Sequence, residues 1–307
     1  FDRYWNNDYA FPIDLIATES HANKSEPTAA QNFYPLNFSA LLAPFAARQT
    51  YFLQAAQQVN TVRDLLSGSL DLEWVKTEMV SDDPAKAQGK ATPESMLSFQ
   101  LHHAIGNPRE RVDLISPYFV PTETGVLGFA ALINENNVQV RVLTNSYEAT
   151  DVAIVHAGYM KHRKKLLRAG VKLYELKKIS NGSLSRPQRN PLGISGSSLH
   201  AKTFAVDGKR LFVGSFNFDP RSALLNTELG FVIHSERLTQ QVSDLFEEEI
   251  PQNSYEVILT RQRQLRWLEP QDNPQESPII HEVEPGTTLV ERLWLGFISR
   301  LPIEWLL

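Results

Sequence analysis

The chain contains no cysteine among its 307 residues, which excludes a disulfide and a thiolate metal site. It also contains no run of eighteen apolar residues, so no transmembrane helix is predicted within these residues. Neither sign of charge is in large excess, since the net charge is −5, and this argues against a protein that binds nucleic acid over its whole surface. A hydrophobic fraction of 42% is typical of a globular chain with a sizeable core.

What the sequence does contain is one stretch dense in polar residues, SSLHAKTFAVDGKRLFVGSFNFD at 197–219. Its alternating pattern predicts two strands joined by a tight turn. We expect a type II′ turn with Gly208 and Lys209 as the loop, because that turn favours glycine at its first central position. The resulting register pairs Asp207 with Arg210, Lys202 with Ser215, and His200 with Asn217.

Four of these side chains would then meet on one sheet face, where they suit a tetrahedral oxyanion. Lys202 supplies a positive charge, while Ser215 and Asn217 supply neutral donors. Neutral His200 can attack phosphorus and form a phosphohistidine. Glu228 begins the next predicted strand and could fix the tautomer of His200. The alternative for a histidine on a strand is a core residue with satisfied hydrogen bonds.

The role of Asp207 is left open between catalysis and structure. An aspartate before a glycine is also what a turn requires, and we favour the structural interpretation.

The full pattern H-x-K-x4-D-x6-G-S-x-N resembles the HKD motif of the phospholipase D superfamily. Residues 113–146 and 155–176 are similar to the second half of bacterial cardiolipin synthases, and 1–13 and 300–307 resemble the C type in particular. The resemblance implies a phospholipase D-like lobe that needs no metal and no cofactor. It also implies a catalytic role for His200, phosphate binding by Lys202 and Asn217, and orientation of the histidine by Glu228.

The superfamily uses two such motifs, and the sequence shows one. His162 and Lys164 have the right spacing, but no aspartate sits five residues after Lys164 and no G-S-x-N follows at the spacing of the motif. We therefore expect this chain to be the C-terminal portion of a two-lobe enzyme whose first motif precedes Phe1. Alone it would be inactive or nearly so. Pairing of two copies is the alternative source of a second motif.

The predicted fold class is α/β, a phospholipase D-like lobe with a mixed β-sheet flanked by helices on both faces, because strands alternate with helices from about Glu94. The predicted divisions are a remnant of a first lobe with a linker at 1–90, the HKD lobe at 91–250 and an extension at 251–307. Within these, 81–95 is interpreted as the linker. A long loop at 181–198 carries Arg186 and Arg189, which are expected either to reach a headgroup or to be solvated.

Two segments raise the question of a membrane surface. Residues 155–178 hold eight Lys or Arg against one Glu, which fits either a solvated helix face or an anionic lipid surface. The C-terminal segment 287–307 predicts a helix with an apolar stripe that could lie in a membrane interface or pack on the core. The stripe consists of Val290, Leu293, Trp294, Phe297, Ile298 and Leu301.

The resemblance therefore implies phosphatidyl transfer between phospholipids, giving cardiolipin, by a peripheral protein of the bacterial inner membrane. Its partners would be phospholipids, a membrane surface and a second HKD lobe, with no nucleic acid. The same site with water as acceptor would be a phospholipase D or another phosphodiesterase. The non-enzymatic alternative is a lone lobe that only binds anionic headgroups.

Overall fold

The computed structural model describes residues 4, 7, 64–178, 199–271, 273, 275–302 and 304–307. Contacts divide the chain into two units, Phe1–Trp74 with Leu184–Arg189, and Val75–Ser183 with Asn190–Leu307. The second unit contains every strand described below. The predicted loop 181–198, with Arg186 and Arg189, lies outside the described residues.

The second unit is built on a sheet of ten strands in the described part of the chain, in the order β1-β7-β6-β5-β2-β3-β4-β8-β9-β10. The strands are β1 Thr77–Ser81, β2 Arg111–Ile115, β3 Gln139–Asn145, β4 Lys172–Leu176, β5 Thr203–Val206, β6 Arg210–Gly214, β7 Leu229–His234, β8 Ser254–Leu259, β9 Leu265–Glu269 and β10 Ile279–His281. The α-helices are α1 Leu97–Ile105, α2 Thr122–Asn136, α3 Ala153–Ala169, α4 Pro220–Leu224, α5 Glu236–Glu247, α6 Glu249–Asn253 and α7 Leu289–Ile298. Short 3-10 helices span Pro84–Gln88, Pro93–Ser95 and Glu304–Leu306.

The predicted fold class is confirmed. The pairs β2–β3 and β3–β4 are parallel and the other pairs are antiparallel, so the sheet is mixed. One face is covered by α2 and α3, whose Phe129 and Leu166 pack in the main core with Val142. The other face is covered by α5 and α6 through Phe246 and Ile250. Each face of the central strands is therefore buried by helices, and three charged residues on these strands, Asp113, Arg141 and Glu175, are buried as well.

The turn between β5 and β6 differs from the prediction by one residue. Val206 pairs with Arg210, and Phe204 pairs with Phe212. The cause is the turn type: Asp207 and Gly208 both have positive φ, at 53° and 64°, which is the Asp-Gly signature of a type I′ turn. Lys209 becomes an extra loop residue. Lys202 therefore lies opposite Gly214, whose N–H donates to the Lys202 carbonyl at 3.3 Å, and not opposite Ser215.

The segment 81–95 is not the exposed linker that its composition suggests. It follows β1 directly, forms two 3-10 helices and buries Asp82 and Lys86. Strands β8 to β10 were not predicted either, and they extend the sheet beyond residue 250. The division of the chain at residues 90 and 250 stays a prediction.

Candidate active site

Lys202 is the central charged group of the site. It is buried, with 9% of its surface exposed, and its ammonium group donates to the backbone carbonyl of His200 at 3.1 Å. Burial lowers the pKa of Lys202, while the carboxylates of Glu228, Asp219 and Asp151 act in the opposite direction. Three acidic groups thus lie near the lysine, yet in the described part of the chain none forms an ion pair with it. The lysine retains donor capacity for a ligand.

His200 lies at the mouth of the site, where its side chain is exposed. Among the described residues, no group hydrogen-bonds to its ring. The backbone before it is fixed: Leu199 is fully buried, its N–H donates to the Asn145 side chain at 3.1 Å, and the Asn145 amide donates back to the Leu199 carbonyl at 3.4 Å. Asn145 at the end of β3 therefore positions the histidine through its backbone. Sequence reasoning did not identify this residue.

Asn217 and Ser215 follow β6, but they serve different purposes. Asn217 is buried, and its side-chain oxygen has no hydrogen-bond partner among the described residues. An unpaired buried oxygen is unfavourable unless a ligand or water satisfies it. Ser215 is engaged, since its hydroxyl donates to the Glu228 carboxylate and accepts from the Leu229 N–H at 3.0 Å. Of the two, Asn217 is the one with an unpaired polar atom, an acceptor that a donor group of a ligand or a water would satisfy.

Glu228 is held by hydroxyl groups and not by the histidine. Ser215 donates to one carboxylate oxygen, and Ser222 donates to the other at 2.9 Å. The structure shows no hydrogen bond between Glu228 and His200. The glutamate is buried and adds negative charge near the Lys202 ammonium group, and its orientation of the histidine stays a prediction.

A second buried lysine, Lys86, belongs to the hydrogen-bond network around Glu228. Lys86 is 1% exposed and forms an ion pair with Asp82 at 2.7 Å. Its ammonium group also donates to the Ser222 carbonyl at 2.8 Å, and Asp82 accepts from the Glu228 N–H at 2.9 Å. The pair ties the segment after β1 to the site. The only sequence signal for it is an acidic and a basic residue four positions apart.

Two further acidic groups border Lys202. Asp219 caps α4 by accepting from the Ser222 N–H at 2.7 Å, and burial raises its pKa, with Glu228 acting in the same direction. Asp151 precedes α3 and accepts from the hydroxyl of Tyr118. Neither aspartate, nor Tyr118, was predicted as a site residue.

Asp207 lies outside the group of side chains around Lys202. It lies at the other end of β5 from Lys202, and its carboxylate accepts from the backbone N–H groups of Arg109, Glu110 and Arg111 at 3.0, 2.8 and 3.1 Å. Burial acts to raise its pKa, but these N–H groups together with Arg210 hold the pKa of Asp207 below its usual value. Its contacts are those of a residue that fastens the turn to the start of β2.

The H-R-K sequence at 162–164, which was considered as a second motif, lies on helix α3. His162 is buried and hydrogen-bonds to Glu304 at 2.8 Å. Much of the basic run around it is also neutralised internally, because Lys161 pairs with Glu304, Lys165 with Glu123, and Arg163 with Glu175 and Glu284. The run is therefore not a continuous anion-attracting surface.

The apolar stripe of the C-terminal segment lies on α7, which begins with a capping box at Thr288. Leu295 is fully buried, whereas four residues of the stripe are exposed: Val290 75%, Leu293 68%, Trp294 44% and Phe297 62%. Packing on the protein's own core does not account for these four. Within the part of the chain that the structure describes, no helix is both long enough and apolar enough to cross a membrane.

Comparisons with known proteins find a family model and curated relatives that this chain resembles. Residues 101–250 match the family model described as cardiolipin synthase, PLD-like domain. The chain is 46% identical to cardiolipin synthase C of Escherichia coli (strain K12) over 256 residues, which cover 83% of this chain and 53% of that protein. It is 30% identical to cardiolipin synthase A of Yersinia pseudotuberculosis over 147 residues, 48% of this chain and 26% of that protein. The chain spans about half the length of the curated relatives that it matches over most of its own length.

Two solved structures are similar at low identity. A phosphatidylserine synthase from Haemophilus influenzae aligns at 15% identity and a TM-score of 0.44, covering 61% of this chain and 41% of that one. A phospholipase D family member, Nuc from Salmonella typhimurium, aligns at 14% identity and a TM-score of 0.42, covering 60% and 99%.

Proposed function

Residues 101–250 form a PLD-like domain, which places the chain in the phospholipase D superfamily, and from that premise we propose that it takes part in phosphatidyl transfer between phospholipids, giving cardiolipin. In this proposal the chain supplies one of two half-sites. The observation that carries it is Lys202, a buried ammonium group that forms no ion pair with any described residue and donates to the His200 carbonyl.

The proposed reaction proceeds through a covalent intermediate on His200. The neutral imidazole attacks the phosphorus of the donor phospholipid, and the bond to the headgroup oxygen breaks as that oxygen takes a proton from the second half-site. The hydroxyl of the acceptor lipid then attacks the phosphatidyl-histidine, loses its proton to the same group and releases His200. Lys202 and Asn217 donate to the phosphoryl oxygens as negative charge develops on them.

Exposure of His200 suits this role, because the ring must be reached by a lipid headgroup. The absence of a hydrogen-bond partner for the ring among the described residues fits a half-site completed elsewhere, either by an N-terminal HKD lobe or by a second copy. We expect this chain alone to show little or no turnover. Turnover by the purified single chain as a monomer would contradict the half-site proposal.

The central experiment replaces the nucleophile. The complete enzyme with His200→Ala should form no cardiolipin in cells and no phosphatidyl adduct in a rapid quench, because in this proposal His200 is the group that accepts the phosphatidyl unit. His102→Ala is the matched control, since His102 is also exposed but lies on α1. Cardiolipin formation by the His200 variant at the rate of the control would contradict the proposal that His200 is the nucleophile.

The same lipid measurement separates the alternatives. Phosphatidic acid in place of cardiolipin would indicate that water is the acceptor and that the protein is a hydrolase. Binding to anionic vesicles without any product would indicate a lobe that only recognises headgroups.

We also propose that the exposed stripe of α7 contacts the lipid surface, which would make the protein peripheral to the bacterial inner membrane. A helix with apolar residues on one exposed face can insert that face into the headgroup region. Leu293→Asp should reduce co-flotation with phosphatidylglycerol vesicles, whereas Leu127→Asp, at an equally exposed leucine on α2, should not. Equal flotation of both variants would exclude α7 as the contact.

A further inference from the structure

Tyr118 and Asp151 form a hydrogen-bonded pair at the edge of the site. The phenol oxygen lies 2.9 Å from each carboxylate oxygen of Asp151. Burial raises the pKa of Tyr118 to about 12, and Asp151 acts in the same direction. The phenol therefore stays protonated at neutral pH with its proton directed to Asp151. Its oxygen is left as an acceptor only.

The backbone places Tyr118 beside Asn217. Phe119 and Phe218 form a parallel β-bridge, and the Val120 N–H donates to the Phe218 carbonyl at 2.8 Å. In a parallel register the preceding residues, Tyr118 and Asn217, lie opposite each other. The rings of Phe119 and Phe218 lie 5.6 Å apart, and Tyr118 and Asn217 directly precede them in the two bridged segments.

Ser116 locks this arrangement. Its hydroxyl donates to the Tyr118 carbonyl at 2.6 Å and accepts from the Phe218 N–H at 3.1 Å. The end of β2 and the segment after β6 are thus fastened to each other at the point where Tyr118 and Asn217 emerge. The electrostatics agree with this placement, because Asp151 acts on Lys202 and Asp219 acts on Tyr118.

The site therefore has two chemically different sides. Lys202 offers donors through its ammonium group, which a phosphoryl group accepts. Tyr118 and Asp151 offer acceptors, which a phosphoryl group cannot use. A group that can use them is a hydroxyl or ammonium group carried by the alcohol that is esterified to the same phosphate.

We propose that Tyr118 and Asp151 hold the alcohol part of a phospholipid headgroup by accepting hydrogen bonds from its hydroxyl or ammonium group. This inference rests on the proposed function and names the part of the substrate that these residues select. It assigns to them a preference for polyol or amino-alcohol headgroups over headgroups without a donor.

The experiment compares three donor lipids in the complete enzyme: phosphatidylglycerol, phosphatidylethanolamine and phosphatidylmethanol, whose headgroup has no donor. Tyr118→Phe should lower kcat/KM for lipids with a donor headgroup by about tenfold more than for phosphatidylmethanol, mainly through KM, since one hydrogen bond to the headgroup is lost. Asp151→Asn should act in the same direction. Loss confined to phosphatidylglycerol assigns a hydroxyl as the ligand, and loss confined to phosphatidylethanolamine assigns an ammonium group.

Tyr255→Phe is the matched control, because Tyr255 also donates to a carboxylate, that of Glu148 at 2.9 Å, but stands on β8, four strands from β5. It should leave the ratio among the three lipids unchanged. An equal loss on all three lipids in Tyr118→Phe, or no loss, would overturn the inference and leave the pair a structural clasp for the segment before α3.

Failure of the proposed function gives a different result. If His200→Ala retains turnover, or if the unmodified enzyme turns over none of the three lipids, both the function and this inference are wrong. If His200→Ala is inactive and Tyr118→Phe lacks headgroup selectivity, only this inference is wrong.

Discussion

Two lysines are buried in one neighbourhood of this molecule, and their surroundings are opposite. Lys86 forms an ion pair with Asp82 at 2.7 Å and donates to a backbone carbonyl at 2.8 Å. Lys202 has three carboxylates nearby but, among the described residues, only the His200 carbonyl as a hydrogen-bond partner. Both side chains are at most 9% exposed, so burial alone does not distinguish them.

The difference lies in how far each charge is neutralised. Burying a charge without a partner is costly, and a structural charge therefore carries its partner with it. A buried charge that lies beside unused donors and acceptors is typical of a site that binds a ligand. By this criterion Lys86 belongs to the framework and Lys202 to the site, although the Lys86–Asp82 pair hydrogen-bonds to Ser222 and Glu228, and the charge of Glu228 acts on Lys202.

A third buried cation supports the same distinction. Arg163 is 1% exposed at its side chain and pairs with Glu175 at 3.0 Å and with Glu284 at 2.8 Å. Burial acts to raise the pKa of Glu284, but Arg163 and His156 hold that pKa well below its usual value. This cluster fastens the segment after β10 to α3 and β4. It is a framework cluster like that of Lys86, and it has no place in the proposed reaction.

The most direct test of the difference between Lys86 and Lys202 is to replace Lys202. Lys202→Met in the complete enzyme should lower phosphatidyl transfer by about 10²–10³-fold or more, because a donor to the developing phosphoryl charge is lost. Its thermal stability should not fall, since an unpaired buried cation is removed. Lys209→Met, at an exposed lysine of the same hairpin, is the control. A large loss of stability with activity retained would reverse the assignment.

The pH dependence of the free energy of unfolding provides a second test of Lys202→Met. Because the pKa of Lys202 is lowered on folding, the unfolded chain binds more protons between the folded and unfolded pKa values. The free energy of unfolding therefore rises with pH across that window. Urea unfolding between pH 7 and 10 should show this contribution, and Lys202→Met should lack it. Identical slopes in both proteins would contradict a lowered pKa for Lys202 in the folded state.

The framework lysine should behave in the opposite way. Lys86→Met leaves the Asp82 carboxylate buried without its cation, which should lower the free energy of unfolding by about 3–5 kcal/mol. Lys90→Met, at an exposed position in the same segment, should change it by less than about 0.5 kcal/mol. Urea unfolding measures both. Unchanged stability of Lys86→Met together with lost catalysis would place Lys86 in the site.

The contrast between these lysines also marks what the sequence could predict. His200, Lys202 and Asn217 fall within 18 residues, so their grouping follows from a local pattern, and the sheet type and most helices follow from periodicity. Lys86 and Asp82 contact Ser222 and Glu228, which are 136 and 146 positions away respectively, and no local pattern encodes such contacts. Tyr118 was missed for the same reason, because its relation to Asn217 depends on a bridge between distant segments.

The register error is of a different kind. It came from a local choice between two turn types that an Asp-Gly sequence permits, and both central residues taking positive φ decided it. With the register shifted, the strand ladder ends at Thr203 and Val213, so the site residues lie beyond it and no longer follow strict alternation.

The smallest effect is expected where the structure separates Asp207 from the site. Asp207→Asn keeps an acceptor and tolerates positive φ, but it weakens the hydrogen bonds from three backbone N–H groups. The expected cost is about 1 kcal/mol, the contribution of an ordinary hydrogen bond. Since the pKa of Asp207 is lowered on folding, this stabilisation is complete above the unfolded pKa and is lost as the pH falls through the folded one. The difference in the free energy of unfolding between Asp207→Asn and the unmodified protein should therefore shrink on acidification, while kcat stays within about twofold.

A loss of catalysis comparable to that of Lys202→Met, with stability unchanged, would show that the two ends of β5 act together and that unused hydrogen-bonding capacity is not what identifies the site.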